Sequence, residues 1–222
     1  MLSRSIKHNN LFIHHHKKVS TINRIIASSL RNHQTFSTCV AVSNASHGRT
    51  KEFYAMQKLG QLTSRAITNQ KLNKMEEAIK VYKEILEMKP DSVFSLLQLG
   101  HIMAFNTNNR KEAIAYFEKV VEYTTLPETF DASINMDEVR MLQIEFQPKA
   151  NYFLAQVLLE DHKSCPSKDE QQVNLMKAKQ AITSALQLLT EVKDDFEISP
   201  ETFTPFLQME SDIDSAMSKL DG

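Results

Sequence analysis

Residues 75–91, MEEAIKVYKEILEMKPD, contain the pattern that decides the fold. Ala78, Tyr82 and Ile85 recur at i, i+4 and i+7, a spacing that brings apolar side chains to one face of an α-helix. Pro90 predicts the end of that helix, because proline has no backbone N–H and cannot continue the helical hydrogen-bond pattern. The stretch therefore predicts one amphipathic helix with a sharp stop.

Two more helices are predicted after this one. The segment 92–105 carries a second apolar helical face, formed by Leu96, Leu99, Gly100 and Met103. Asn109 and Glu112 have the spacing of a capping box, which predicts a helix start. The helix that follows places three residues on one face, Ala113, Phe117 and Val120. Helices therefore recur at short intervals from about residue 59 to 127.

These segments resemble the tetratricopeptide repeat, a helix–turn–helix unit of about 34 residues. In the second unit the residues that match the family pattern are Leu96, Leu99, Gly100, Met103, Ala113, Phe117 and Val120. In the first unit they are Leu62, Ala66, Ala78, Tyr82, Ile85 and Pro90, whereas Arg65 and Asn69 depart from it. The resemblance implies repeats at 59–92 and 93–127, the second one residue longer in its inter-helix loop, 106–109.

A third, less regular repeat is predicted at 148–194. Pro148 would open its first helix, with Ala155 in the small position. Its second helix, at about 170–194, repeats the i, i+4, i+7 spacing through Ala178, Ile182 and Ala185. The insertion 128–147 separates it from the second repeat, and residues 137–146 within that insertion predict a further helix.

The last predicted element is an amphipathic helix at 205–219 with its apolar residues on one face, Phe206, Met209, Ile213 and Met217. Such a helix would shield the last repeat, because each repeat buries its apolar face only against a neighbour. We therefore expect residues 51–222 to form an all-α domain. It would be an antiparallel helix-pair solenoid of about three repeats with a C-terminal capping helix.

The charges are unevenly distributed along the chain. Residues 1–51 contain no Asp or Glu and eight of the 26 Lys and Arg residues. The remaining 18 basic residues meet all 27 acidic ones, so residues 52–222 carry a net charge of −9. An acid-free N-terminus that bears Arg and Ser is typical of a mitochondrial transit peptide. Residues 17–31 also form an amphipathic helix on a helical wheel, which import requires.

We therefore expect a transit peptide at 1–33, a linker at 34–50, and a location in the mitochondrial matrix or at the matrix face of the inner membrane. The alternative is a cytosolic protein whose basic N-terminal tail is a binding element. The sequence contains no run of 18 apolar residues, so we expect no membrane span. A peripheral position at the inner membrane is compatible with the sequence.

The residues typical of enzymes are not assembled in any recognisable motif. The sequence has no GxGxxG, P-loop, HExxH or GxSxG pattern. His162 and Cys165 are three residues apart, but without an orienting group an ordinary exposed thiol is the simpler interpretation. We expect no catalysis, no cofactor and no metal site. Nucleic acid is not expected as a partner, because a net charge of −9 opposes contact with phosphates.

A protein or peptide partner remains. In the tetratricopeptide repeat family the first helices of the repeats line a concave groove. Carried onto this chain, the resemblance implies these groove residues: Ile67, Phe94, Leu97, His101, Phe105 and Tyr152. They would form an apolar, aromatic strip suited to an amphipathic helix or an extended segment. The sequence leaves open whether that groove is vacant or filled by the chain's own terminal helix or insertion.

The family's clamp for the carboxylate tails of chaperones is disfavoured, because only one of its five positions, Lys149, agrees. We therefore expect a non-catalytic protein–protein interaction scaffold in mitochondria, an assembly factor or accessory subunit of a larger complex. The alternative function is that of a cytosolic adaptor or regulatory protein.

Overall fold

The computed structural model describes residues 51–124 and 136–221, except for the side chains of Glu52, of residues 136–143 and of Asp221. The predicted transit peptide, the linker and residues 128–135 of the insertion lie outside the described residues. Of the described residues, 51–124, 136–198 and 206–221 belong to one compact unit. Ser199–Pro205 falls outside that unit and contains a short 3-10 helix, Pro200–Thr202.

Within the described ranges the secondary structure is helical throughout. The seven α-helices are α1 (Lys51–Lys71), α2 (Met75–Met88), α3 (Val93–Phe105), α4 (Arg110–Thr124), α5 (Met136–Asp161), α6 (Lys168–Val192) and α7 (Thr204–Asp221). Each of the helices α1 to α5 packs on the helix that follows it, and α3 also contacts α5. The predicted all-α solenoid of helix pairs is confirmed.

The first two pairs are held together by small residues that let helices approach. Ala66, Ala78 and Ala113 are fully buried, as are the large side chains of Tyr82 and Phe117. Helices α3 and α4 approach closely at Gly100, where an added Cβ would lie 2.6 Å from the Phe117 ring of α4. These positions are the ones that the repeat pattern identified, because small and large residues must alternate for neighbouring helices to interlock.

The turns inside the first two pairs contain asparagines in the left-handed backbone region. Asn73 has φ 57° and Asn108 has φ 55°, values that asparagine tolerates better than most residues do. The second turn, 106–109, is one residue longer than the first, 72–74, as the sequence predicted. The predicted cap is also present, since the Glu112 backbone amide donates to Asn109 Oδ1 at 3.4 Å.

Pro148 is the point at which the third pair differs from expectation. The sequence predicted a helix that opens at this proline, but α5 runs without a break from Met136 to Asp161 with Pro148 inside it. A proline in a helix removes one hydrogen bond and costs about 3 kcal/mol. The helix continues because its flanking residues are buried: Phe146 is 8% exposed and Ala150 is fully buried.

The terminal helix α7 packs against α5 and α6. Phe206, Met209 and Ile213 are buried, as an amphipathic capping helix requires. Lys179 of α6 forms an ion pair with Asp214 of α7. Lys168 donates to the Leu220 carbonyl at 3.1 Å. The later residue of α7, Leu220, meets the earlier residue of α6, Lys168. The two helices therefore run antiparallel.

Candidate functional site

A hydrogen-bond chain fixes the first helices of the first two pairs side by side. Tyr82 Oη of α2 donates to Gln70 Oε1 of α1 at 2.6 Å. Gln70 Nε2 then donates to Gln98 Oε1 of α3 at 3.0 Å. Burial raises the pKa of Tyr82, so its phenol stays protonated and serves as a donor. The chain sets the spacing of the two helices that were expected to line the groove.

The predicted groove residues differ in their exposure. Four of them are half-buried: Ile67 of α1, and Phe94, His101 and Phe105 of α3. Leu97 is only 5% exposed and Tyr152 of α5 only 6% exposed. Both side chains are part of the core, so Leu97 and Tyr152 present little surface to a partner in this structure.

Tyr152 is buried because the terminal helix covers it. Its ring lies 5.3 Å from the Phe206 ring, in an edge-to-face arrangement. Burial raises the pKa of Tyr152 to about 12, and the charge of Asp212 on α7 adds to this. At the third helix pair, the chain's own α7 therefore occupies the position that a partner was expected to take.

Phe153 joins three of the predicted residues into one aromatic cluster. Its ring lies 5.2 Å from His101, 5.8 Å from Phe105 and 5.8 Å from Tyr152. It also lies 5.8 Å from the fully buried Phe117. Phe153 therefore links α3, α4 and α5, and it makes His101 and Phe105 the edge of a core instead of isolated groove residues.

Ile67 and Phe94 lie apart from this cluster. Phe94 contacts Tyr82, with ring centroids 6.2 Å apart, and Tyr82 in turn bonds Gln70. Ile67 precedes Gln70 by one turn on α1, so both apolar side chains lie near the hydrogen-bond chain. Among the predicted groove residues, the apolar side chains that stay partly exposed are therefore those of Ile67, Phe94 and Phe105.

His101 is a neutral side chain in this setting. Desolvation by burial lowers its pKa from 6.5 to about 4. The protonated imidazole is thus disfavoured in the folded chain, whereas the unfolded chain takes up a proton below about pH 6.5. Stability from this residue is fully present above pH 6.5 and is lost as the pH falls toward 4.

We expect the free energy of unfolding to fall by about 1–2 kcal/mol from pH 7 to pH 5 on account of His101. Urea unfolding of the wild type and of His101→Gln at both pH values measures this contribution. The variant should lack this part of the decrease. An equal decrease in the two proteins would show that folding does not lower the pKa of His101.

The His162–Cys165 pair lacks the geometry of a nucleophilic site. His162 Nδ1 hydrogen-bonds the Leu159 carbonyl, and Cys165 Sγ donates to the Asp161 carbonyl at 3.6 Å. Burial raises the pKa of the Cys165 thiol, an effect opposite to the activation of a catalytic cysteine. The described residues also contain no group of three or more His, Cys, Asp or Glu side chains that could hold a metal ion.

Sequence reasoning missed two residues that shape this surface. Phe153 was not among the predicted groove residues, and Phe206 was predicted only as part of an amphipathic helix. The apolar period of α7 showed that Phe206 would be buried, but it did not show against which helix. That information depends on contacts between residues that are far apart in the chain.

Two segments of the chain, residues 62–92 and 95–124, match the family model described as tetratricopeptide repeat. They correspond to the α1–α2 and α3–α4 pairs. The two matches support the interpretation of this chain as a tetratricopeptide repeat protein. Such repeats indicate a protein–protein interaction scaffold, and proteins built from them are generally non-catalytic. A comparison with curated proteins found no match. No helix in the described part of the chain is long and apolar enough to span a bilayer.

Proposed function

We propose that this chain, which carries two tetratricopeptide repeats, is a non-catalytic interaction scaffold of mitochondria. It would act as an assembly factor or accessory subunit of a larger complex, in the matrix or at the matrix face of the inner membrane. Its partner would be an amphipathic helix or extended segment with apolar side chains. We propose neither a nucleic-acid partner nor a cofactor.

The observation that carries the binding role is the partly exposed apolar surface on α1 and α3. Ile67 and Phe94 are half-buried, and the Tyr82–Gln70–Gln98 hydrogen bonds hold their helices in place. A rigid pair of helices loses little conformational entropy when a ligand binds. The side-chain amides of Gln70 and Gln98 beside the apolar residues suit an extended peptide, which brings unpaired backbone polar groups.

The distribution of charge along the chain supports the proposed location in mitochondria. The first 51 residues carry eight basic and no acidic side chains, and the rest of the chain has a net charge of −9. This asymmetry is typical of a cationic import signal before a folded domain. N-terminal sequencing of the native protein tests it: a start near residues 34–45 supports import, and an intact Met1 favours the cytosolic adaptor.

We expect Phe94→Glu to abolish capture of the partner, because it places a charge in the apolar surface. Affinity capture from solubilised mitochondria measures the loss, and circular dichroism should show helicity near that of the wild type. Leu207→Glu is the matched control, since Leu207 is 54% exposed on α7. Retained capture by Phe94→Glu would contradict the proposed binding surface. Phe105 is less suitable for this test, since its ring contacts Phe153.

A further inference from the structure

The terminal helix α7 is attached differently from the helices before it. Helices α5 and α6 pack closely on each other, and both carry fully buried alanines, among them Ala155 and Ala178. The residues that α7 buries are all large: Phe206, Met209 and Ile213. The backbone of α7 stays farther from α5 and α6 than those two helices stay from each other. Long side chains therefore hold α7 in place, without close backbone packing.

The polar contacts of α7 lie at the surface. The ion pair between Lys179 and Asp214 joins side chains that are 37% and 50% exposed. Lys168 donates to the Leu220 carbonyl in an exposed hydrogen bond. Exposed contacts of this kind contribute little to stability, because water solvates the separated groups almost as well. The attachment of α7 therefore depends mainly on its three buried apolar side chains.

Helix α6 ends without help from α7. The Ile198 amide donates to the Lys193 carbonyl at 2.9 Å, and the Phe196 amide donates to the Val192 carbonyl at 3.1 Å. Such bonds satisfy the last carbonyls of a helix and terminate it locally. The following residues, 199–203, can span about 17 Å when extended. Helix α7 can therefore leave its position while α6 stays intact.

The surface beneath α7 is held in shape by α5 and its neighbours. The Tyr152 ring lies 5.3 Å from Phe206 of α7, but it also lies 5.8 Å from Phe153 of α5 itself. Phe153 in turn contacts the rings of Phe105 and Phe117. Tyr152 is also a position that the repeat pattern assigns to contact with a partner. Departure of α7 would therefore uncover an ordered apolar surface.

We infer that this surface is a second docking site, whose partner is an amphipathic helix of the same chemistry as α7. Such a helix carries large apolar residues at i, i+3 and i+7, the spacing of Phe206, Met209 and Ile213. A carboxylate at i+8, the position of Asp214, would pair with Lys179. Helix α7 would then be a tethered ligand that the partner displaces. This site is separate from the surface at Phe94, and the inference does not rest on capture there.

Binding of a fluorescently labelled synthetic peptide of residues 204–221 to the full chain tests the inference. The wild-type chain should bind it weakly, because the tethered α7 has a high effective concentration at the site. In the Phe206→Glu chain the tethered helix should no longer dock, while the surface on α5 and α6 is unchanged. We therefore expect the peptide Kd, measured by fluorescence anisotropy, to be at least about tenfold lower for this variant.

Two controls match this experiment. Leu207→Glu alters the next residue of α7, which is 54% exposed, so this chain should bind the peptide as weakly as the wild type does. A peptide that itself carries Phe206→Glu should bind none of the chains. A Phe206→Glu chain with wild-type helicity that binds the peptide no more tightly than the wild type would overturn the inference.

Hydrogen exchange of the intact wild-type chain gives a second measurement, which decides the matter if Phe206→Glu loses helicity. The central amides of α7, around Met209, should exchange at least about tenfold faster than those of α6, because α7 detaches without global unfolding. Equal exchange rates in the two helices would also overturn the inference. Capture at the Phe94 surface is a different measurement, so a failure there can be told from a failure here.

Discussion

Phe153→Ala should lower the free energy of unfolding by about 3–5 kcal/mol, because it removes a buried aromatic ring and leaves a cavity. The ring is 4% exposed and contacts His101, Phe105, Phe117 and Tyr152. No other residue of the cluster touches as many rings. Urea unfolding followed by circular dichroism measures the change.

Tyr123→Ala is the control for that experiment. Tyr123 lies on the neighbouring α4 but is 47% exposed, so its loss should change stability by no more than about 0.5 kcal/mol. The same Phe153 variant should also move the pKa of His101 from about 4 back toward 6.5, because the cavity lessens its burial. Equal stability of the Phe153 and Tyr123 variants would show that the cluster does not join the repeats.

Gly100→Ala is the second substitution with a large expected effect. The new methyl group would lie 2.6 Å from the Phe117 ring, which is fully buried and cannot move into solvent. Overpacking of this kind costs about 1–3 kcal/mol, and the better helix propensity of alanine offsets at most about 1 kcal/mol. We expect a net loss of stability of about 1–2 kcal/mol.

Gly60→Ala makes the matched comparison, since both glycines lie inside helices. A Cβ at Gly60 meets nothing within 4 Å, so this variant should be more stable than the wild type by up to about 1 kcal/mol. Thermal or urea unfolding at low micromolar concentration separates the two variants. If both substitutions stabilised the chain equally, the close contact between α3 and Phe117 would be refuted.

Positions that depend on local spacing could be predicted from the sequence. Ala66, Ala78, Gly100 and Ala113 follow the helical period and the alternation of small and large residues, and each lies at a helix contact in the structure. The helix cap at Asn109 could be predicted because the capping box spans only four residues, from Asn109 to Glu112. Such features involve neighbours within one or two turns, which is why one sequence suffices to find them.

Positions that depend on distant parts of the chain could not be predicted in the same way. Pro148 resembles a helix start by local rules, and only the burial of its surroundings keeps α5 continuous. Tyr152 occupies a groove position in the repeat pattern, but Phe206 from 54 residues later covers it. The sequence indicated that α7 is amphipathic without specifying the surface on which it packs.

The candidate binding surface is consequently smaller than the repeat pattern predicted. Ile67, Phe94 and Phe105 remain half-buried, while Leu97 and Tyr152 belong to the core. Binding would therefore concentrate on the first two helix pairs. The chain's own α7 already covers part of the third pair, so a partner could reach that part only by displacing it.

A native gel of gently solubilised mitochondria, blotted for this protein, tests the proposed role most directly. We expect the protein to migrate with an assembly much larger than 25.4 kDa, and the Phe94→Glu variant to leave that assembly. Migration of the wild-type protein only as one or two copies would contradict the role as an assembly factor or accessory subunit. Its absence from mitochondria would contradict the proposed location as well.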